Sequence, residues 1–283
     1  MSERPGAWVG VDPERSTSLV DARLQLHHAA QLATALGISY LEKQADDSHT
    51  NLEWLPAMRA LASNRAGPAN VRVAVRPDPL ALLVLDSADA PVATLELSGR
   101  TIDEAVAWVR ARLAEHGLDA AAFTTKRHYT IPPHPVAESR PFDARDRGAF
   151  AELATWFGDS DLYFRDLSSR VRGASPVRCW PHHFDIGMLF ESTGGTSIGV
   201  GLEPGDAYYA EPYWYANRYP APAVDALSAL PALDGSGSWH TTEWIGAVLT
   251  GSRMARTPAD QRAQVARFFD SAFHAYASEK PSA

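Results

Sequence analysis

The sequence predicts an α+β fold, built mainly from antiparallel sheets with helices packed against them. Short runs of alternating apolar and polar residues, bounded by Pro, Gly and Asp, recur in both halves of the chain. Helical patterns stand at the two ends of each half rather than between successive strands. The best-defined pair of strands is joined at 193–195 by Thr-Gly-Gly, a three-residue loop of a length common in hairpins.

The first half begins with residues 1–15, which lack periodicity and are expected to form a loose arm. An amphipathic helix is predicted from about Ser18 to Gly37, because apolar residues recur there at helical spacing. A polar connection at 46–51 leads into residues 52–62, for which we expect a strand.

The first half continues with strands that Pro and Asp turns delimit. These strands are predicted at 71–75, 80–85 and 92–97. Thr101 and Glu104 then have the spacing of a capping box, which marks the start of a helix. Gly117 is expected to end that helix.

The second half follows a proline-rich segment at 131–141, the best candidate for a boundary within the chain. Asp143 is expected to cap a helix that reaches Phe157. Gly158 is expected to break this helix, and a second helical piece should end near Gly173.

Strands are then predicted between Ser175 and Tyr215, and a loop is predicted at 220–237. Thr257 and Pro258 are typical of the N-cap and first turn of a final helix. Its expected buried stripe comprises Val265, Phe268, Phe269, Ala272, Phe273 and Tyr276. We therefore expect one α+β domain over 16–283, or two lobes that meet near 131–142. The repeated order of helix, strands and helix is typical of an internal duplication or of α+β folds in general.

Composition restricts the function classes. The formal net charge is −8, which disfavours nucleic acid as a partner because no basic stripe compensates for it. Cys179 is the single cysteine, so an intrachain disulfide is excluded and a reducing compartment is favoured. The sequence has neither a signal-peptide pattern nor an apolar run of membrane-spanning length. A cytoplasmic protein without a membrane partner is expected, and its oligomeric state stays open.

Two consecutive strands carry the chemistry that the sequence indicates. Alternation predicts one face of core residues, and joining these apolar faces sets the register. That register pairs Phe190 with Ile198, Met188 with Val200, and Ile186 with Leu202. On the other face it places Asp185 opposite Glu203, with His183 two residues before Asp185. Like charges in such positions destabilise a ladder unless a cation, an arginine, a shared proton or water relieves them.

We interpret His183, Asp185 and Glu203 as candidate ligands for a divalent metal such as zinc or manganese, since imidazole and carboxylate groups bind both. Asp185 or Glu203 is also a candidate general base. The structural alternative is a hydrogen-bonded His–Asp pair, with Glu203 in solvent or beside an arginine. His182 is expected to be a satisfied core histidine, and Cys179 a small buried side chain.

Aromatic residues near this face are candidates for ligand binding. Tyr208, Tyr213 and Trp180 supply rings that stack on a sugar, a base or a flavin, although aromatic residues also dominate ordinary cores. Neither His240 nor Glu243 has a spacing that demands a role, and the same holds for His49. The glycine-rich nucleotide loops, the zinc-protease motif, the hydrolase nucleophile elbow and paired Cys-x-x-Cys are all absent from the sequence.

One stretch resembles a known sequence family. Residues 172–185 read Arg-Gly-Ala-Ser-Pro-Val-Arg-Cys-Trp-Pro-His-His-Phe-Asp. This run is similar to the hallmark of an uncharacterised bacterial family, a domain of unknown function, in which Gly-Lys-x-Ser-Pro-Val-His leads into Phe-Trp-x-x-Phe-Asp-Leu. Arg178 replaces the histidine of that family and Cys179 replaces an aromatic residue. Looser similarities lie at 24–31, His49, 213–220 and 243–245. The resemblance implies a single fold and the importance of 175–185, and no activity.

Three functional hypotheses follow. The first is a protein that binds a small polar or aromatic ligand, with or without a metal, beside the 183–203 strand face. The second is a hydrolase or isomerase that uses Asp185 or Glu203 as its general base and His183 as an orienting partner or a ligand. The third is an acidic scaffold whose aromatic residues form an interface, for which a broad exposed aromatic patch would be the sign.

Overall fold

The computed structural model describes residues 7–191, 195–222 and 230–278. It confirms an α+β fold with two antiparallel sheets, one of five strands and one of six. The helices are α1 (Val20–Tyr40), α2 (Ile102–Glu115), α3 (Arg147–Ser168) and α4 (Pro258–Ser278). The strands of the first sheet are β1 (Glu53–Leu55), β2 (Ala60–Ala62), β3 (Arg72–Arg76), β4 (Ala81–Leu85) and β5 (Pro91–Glu96). The later strands are β6 (Arg178–Trp180), β7 (Asp185–Glu191), β8 (Ser197–Glu203), β9 (Tyr213–Tyr219), β10 (Ser238–His240) and β11 (Gly246–Thr250).

The chain divides into two compact units. The α1 unit comprises 19–158 and 178–185, and the α4 unit comprises 1–18, 159–177 and 186–283. The change from one unit to the other therefore falls inside helix α3, whereas the proline-rich segment 131–141 lies wholly within the α1 unit. The internal duplication suggested by the order of elements stays a prediction.

The proline-rich segment is tied to helix α1 rather than forming a linker. His28 Nε2 donates to Pro132 O over 3.0 Å. His134 Nε2 lies 3.1 Å from Asp21 Oδ1 at the start of the same helix. These hydrogen bonds explain why proline content alone did not locate the division of the chain.

The α1 unit is built on a five-stranded antiparallel meander in the order β1-β2-β3-β4-β5. Residues 52–62, expected as one strand, form the two short strands β1 and β2 around a tight turn. One side of the sheet carries a cluster of small and branched apolar residues: Ala60, Ala62, Ala74, Leu83 and Leu85. The capping box of α2 is confirmed, since Glu104 N donates to Thr101 Oγ1 and Thr101 N to Glu104 Oε2.

Helix α1 continues to Tyr40, past the glycine that was expected to end it. A Cβ atom on Gly37 would collide with the carbonyl oxygen of His49. Glycine is therefore required at position 37 because another part of the backbone packs closely there. In the sequence, a glycine needed for packing looks the same as a glycine that ends a helix.

The N-terminal arm is anchored at residues 9–11, in contrast to the loose arm expected over 1–15. The carboxylate of Asp159 accepts the N–H groups of Val9, over 2.9 Å, and Gly10, over 2.8 Å. Gln261 exchanges two hydrogen bonds with the backbone of Val11. A segment without periodicity is thus held by side chains that satisfy its backbone groups.

The core of the α4 unit is aromatic. Trp214, on β9, packs against the rings of Phe164 and Phe269 with centroid separations of 5.6 and 6.1 Å. Tyr276 donates its hydroxyl proton to Ala216 O over 2.8 Å. The expected stripe of α4 is buried except for Phe273, which is half-buried against Phe190.

Helix ends show where local signals succeed or fail. Thr257 caps α4 as predicted, because its hydroxyl oxygen accepts Asp260 N over 3.2 Å. Asp143 does not cap α3: its carboxylate is bound by Arg145, and Asp146 Oδ1 accepts Ala149 N over 3.1 Å instead. Helix α3 also runs through Gly158 without a break.

Strands β10 and β11 were not predicted. They pair with each other and extend the sheet beyond β9, through register pairs such as Val248 with Tyr215. The expected loop at 220–237 lies partly outside the described residues, as do two residues of the expected loop 193–195. None of the described helices has the length and apolar character needed to cross a membrane.

Candidate functional site

The predicted site residues are distributed over both units. Trp180, His183 and Asp185 belong to the α1 unit, and Glu203, Tyr208 and Tyr213 belong to the α4 unit. The expected strand register is confirmed from Ile186–Leu202 to Glu191–Ser197, including Met188 opposite Val200 and Phe190 opposite Ile198.

His183 does not lie on a strand, which corrects its predicted alignment with Asp185. Residues 181–184 form a turn between β6 and β7, closed by Phe184 N donating to Trp180 O over 2.7 Å. Phe184 adopts a positive φ of 76°. The proline at the start of the turn and this left-handed residue interrupt the alternation, so the side chain of His183 is exposed. Asp185 begins β7 and is buried.

Polar side chains of helix α1 hold this turn in place. His27 Nε2 donates to Pro181 O over 2.8 Å, and Gln31 Nε2 donates to the same oxygen over 2.9 Å. Tyr129 donates its hydroxyl proton to Gln31 Oε1 over 2.9 Å. The ring of His27 stacks on Phe184 with a centroid separation of 4.6 Å.

Two histidines of this region, His27 and His182, have lowered pKa values. Burial lowers the pKa of His27 to about 3. Burial, followed by the charge of His183, lowers the pKa of His182. His182 is half-buried at the surface rather than enclosed in the core, with Trp180 beside it at a centroid separation of 6.3 Å. Cys179 is buried, as expected.

The metal hypothesis finds no cluster to support it in the part of the chain that the structure describes. No group of three or more His, Cys, Asp or Glu side chains is placed there to hold a metal ion. His183 is exposed on its turn, while Asp185 and Glu203 are buried with 8% and 5% exposure. The zinc or manganese ion expected at these residues stays a prediction.

Glu203 lies at the end of β8, paired with Tyr213 on β9. Residues that face each other across an antiparallel ladder share one side of the sheet. On that side, Gly201 is paired with Tyr215, and a Cβ on Gly201 would lie 2.5 Å from the hydroxyl oxygen of Tyr215. A Cβ on Gly246 would likewise collide with the ring of Trp244. The glycines therefore leave room for aromatic rings to lie close to the backbone.

Asp206 organises the loop between β8 and β9. Its Oδ1 atom accepts the backbone N–H groups of Tyr208 and Tyr209 over 2.8 and 2.9 Å. Its Oδ2 atom accepts the hydroxyl proton of Tyr213 over 2.7 Å. Tyr213 is only 4% exposed, so its hydroxyl group holds the loop from the buried side. Tyr208 lies at the surface and is 44% exposed.

His240 joins the loop to the end of β10. Its Nε2 atom lies 2.6 Å from Thr242 O, and because a carbonyl oxygen only accepts, this nitrogen carries the proton. In the neutral ring Nδ1 then accepts the hydroxyl proton of Tyr209 over 2.9 Å. The imidazole stacks on Trp244 at a centroid separation of 4.3 Å.

We name one cluster of four side chains the aromatic corner: Tyr208, His240, Glu243 and Trp244. The ring of Tyr208 is inclined by 73° to that of His240 and by 69° to that of Trp244, with centroids 5.2 and 6.4 Å away. Its hydroxyl donates to Glu243 Oε2 over 2.6 Å, and this bond is the first cause of a raised pKa of Tyr208. Burial raises the pKa of Tyr209.

One ring of this corner was predicted from the sequence as a ligand-binding candidate, and the roles of the other residues were not predicted. Tyr208 was a candidate, while His240 and Glu243 had no assigned role and Trp244 appeared only in a loose family similarity. The missing signal was the hairpin of β10 and β11, whose register places His240 opposite Gly246. An aromatic-rich run followed by a second aromatic turn is the pattern that could have indicated the site.

Searches against family models, curated proteins and solved structures found no match for this chain. The similarity of residues 172–185 to an uncharacterised bacterial family therefore stays an expectation.

Proposed function

We propose that this protein binds a small organic ligand at the aromatic corner of the α4 unit. The observation that carries the proposal is the arrangement of Tyr208, a surface ring set nearly at right angles to the stacked pair of His240 and Trp244. Inclined aromatic faces beside a few polar groups are the usual lining of small-molecule sites.

The corner is held in position before any ligand arrives. Asp206 fixes the backbone on both sides of Tyr208, and Tyr209 fixes the ring of His240. The loop is also tied down by Glu211, whose carboxylate accepts the backbone N–H and the hydroxyl of Ser252. A preformed site loses little conformational entropy on binding, which favours affinity.

The exposure of the aromatic residues supports a local site over a broad interface. Among the described residues, Tyr208 and Tyr219 are the large aromatic side chains with exposed surfaces. The scaffold hypothesis expected a continuous aromatic patch, and two exposed tyrosines are a weak basis for it.

Ligand-detected NMR with a panel of small polar and aromatic compounds tests the proposal. We expect at least one compound to bind, and we expect Tyr208→Ala and Trp244→Ala to abolish its binding. Tyr208 is exposed, so its removal leaves the core unchanged and the loss can be assigned to the site.

Tyr219→Ala is the matched control, since this tyrosine is 75% exposed and is the last residue of β9. It should bind the same compounds as the wild-type protein. Binding that persists in both corner variants, or a panel without any hit, would overturn the proposal.

A further inference from the structure

We infer that the ligand of the aromatic corner is an organic ammonium cation, in particular a quaternary or fully alkylated headgroup. This inference rests on the proposed function and specifies its ligand class. It follows from which hydrogen-bonding groups of the corner are already engaged and from the sign of the charges around it.

The tyrosine hydroxyls and the imidazole N–H around the corner are committed to internal acceptors. Tyr208 donates to Glu243, Tyr209 donates to His240, and His240 donates to Thr242 O. The hydroxyl of Tyr213 is likewise committed to Asp206. An anion or a carbonyl group that accepted a proton from one of these hydroxyls or from His240 would leave an internal acceptor without its partner.

A quaternary ammonium group requires no such exchange. It has no N–H to place and no lone pair to satisfy, so the bond between Tyr208 and Glu243 persists when it binds. Recognition then comes from aromatic faces and negative charge, which are the groups that the corner offers.

The charges that act on the corner favour a cation. Glu243 and Asp206 both raise the pKa of Tyr208, as nearby negative charges do. The positive charge of Arg253 acts to lower the pKa of Tyr209. Arg253 is itself exposed, and its Nη1 atom lies 3.5 Å from Ser236 O. The carboxylates therefore dominate beside Tyr208, on a chain whose net charge is −8.

The ring geometry also fits a cation. The centroids of Tyr208 and Trp244 are 6.4 Å apart with an angle of 69° between the rings. A cation in contact with both rings would lie within the roughly 6 Å of each centroid over which a ring attracts positive charge. A neutral group of the same shape gains only the contact with the rings.

The test compares choline with 3,3-dimethylbutan-1-ol, which has the same shape with carbon in place of the charged nitrogen. NMR titration followed at the indole N–H of Trp244 gives both affinities. We expect choline to bind about 3- to 30-fold more tightly than the neutral alcohol, as cation–π attraction predicts. Glu243→Gln should weaken choline several-fold and leave the alcohol unchanged.

Glu191→Gln is the matched control because it removes one exposed carboxylate on β7, which three strands separate from β10 in the sheet. It should bind choline like the wild-type protein. Equal or tighter binding of the alcohol would overturn the inference. Failure of both probes while other compounds of the panel bind at the corner would also overturn it and leave the proposed function standing; failure of every compound removes both.

Discussion

The neutral, buried imidazole of His27 should make the stability of the protein sensitive to pH, and His27→Phe isolates this effect. The side chain of His27 is 4% exposed and stacks on Phe184. Phenylalanine keeps this stacking and removes the hydrogen bond to Pro181 O, which still accepts Gln31 Nε2. At about pH 7.5 we therefore expect the variant to be less stable by about 1 kcal/mol.

The sign of the pH effect follows from the pKa of His27, which burial lowers from 6.5 to about 3. The charges of His28, Arg23 and Arg127 contribute to this lowered pKa, and the hydrogen bond to Pro181 opposes it. Between these two pKa values the unfolded chain binds a proton that the native protein does not. The stabilisation by neutral His27 is thus complete above 6.5 and is lost as the pH falls towards 3.

At about pH 5 the extra proton bound by the unfolded chain lowers the free energy of unfolding of the wild-type protein by roughly 2 kcal/mol. His27→Phe should therefore change from about 1 kcal/mol less stable at neutral pH to about 1 kcal/mol more stable at about pH 5. Urea unfolding followed by far-UV circular dichroism at both pH values measures the crossing. Parallel pH dependences in the two proteins would refute a buried neutral imidazole at this position.

Two further predictions concern the packing of the chain. Phe269→Ala should destabilise the protein by about 3–5 kcal/mol because its fully buried ring is removed, whereas the exposed His274→Ala should leave the melting temperature unchanged. Gly201→Ala should cost about 1–3 kcal/mol because the new methyl group meets the ring of Tyr215, while Gly158→Ala in helix α3 should be neutral or stabilising by up to about 1 kcal/mol. Thermal unfolding measures all four; similar losses within either pair would contradict the assignment.

The register of β7 and β8 could be predicted because it depends on a short-range pattern. Alternating apolar residues on both strands leave one arrangement that buries them together, as Met188 and Val200 show. The final helix was predictable for the same reason, since Thr257 and the stripe around Phe269 are local signals.

The roles of the glycines could not be read from the sequence. Gly37 and Gly158 were both expected to end helices, and both lie inside them. Gly37 is required by the carbonyl of His49, a contact that depends on how the connection after the helix folds back onto it. Local propensity describes a glycine as a helix breaker, and tertiary packing decides whether it is one.

The candidate site was only partly predictable because its members meet through long-range contacts. Tyr208 and Glu243 are 35 residues apart in sequence, and their hydrogen bond depends on the unpredicted pairing of β10 with β11. His183 was placed wrongly because the positive φ of Phe184 interrupts the alternation on which the prediction depended.

The two histidines His27 and His240 show why residue type alone does not identify a site. Each donates Nε2–H to a backbone carbonyl and stacks on an aromatic ring. The partner of His27 is Phe184, which is 1% exposed, so this imidazole acts only on the turn that it holds. The partner of His240 is the half-buried Trp244, and the exposed Tyr208 borders both rings. The same local chemistry therefore supports the fold in one unit and lies beside an exposed aromatic ring in the other.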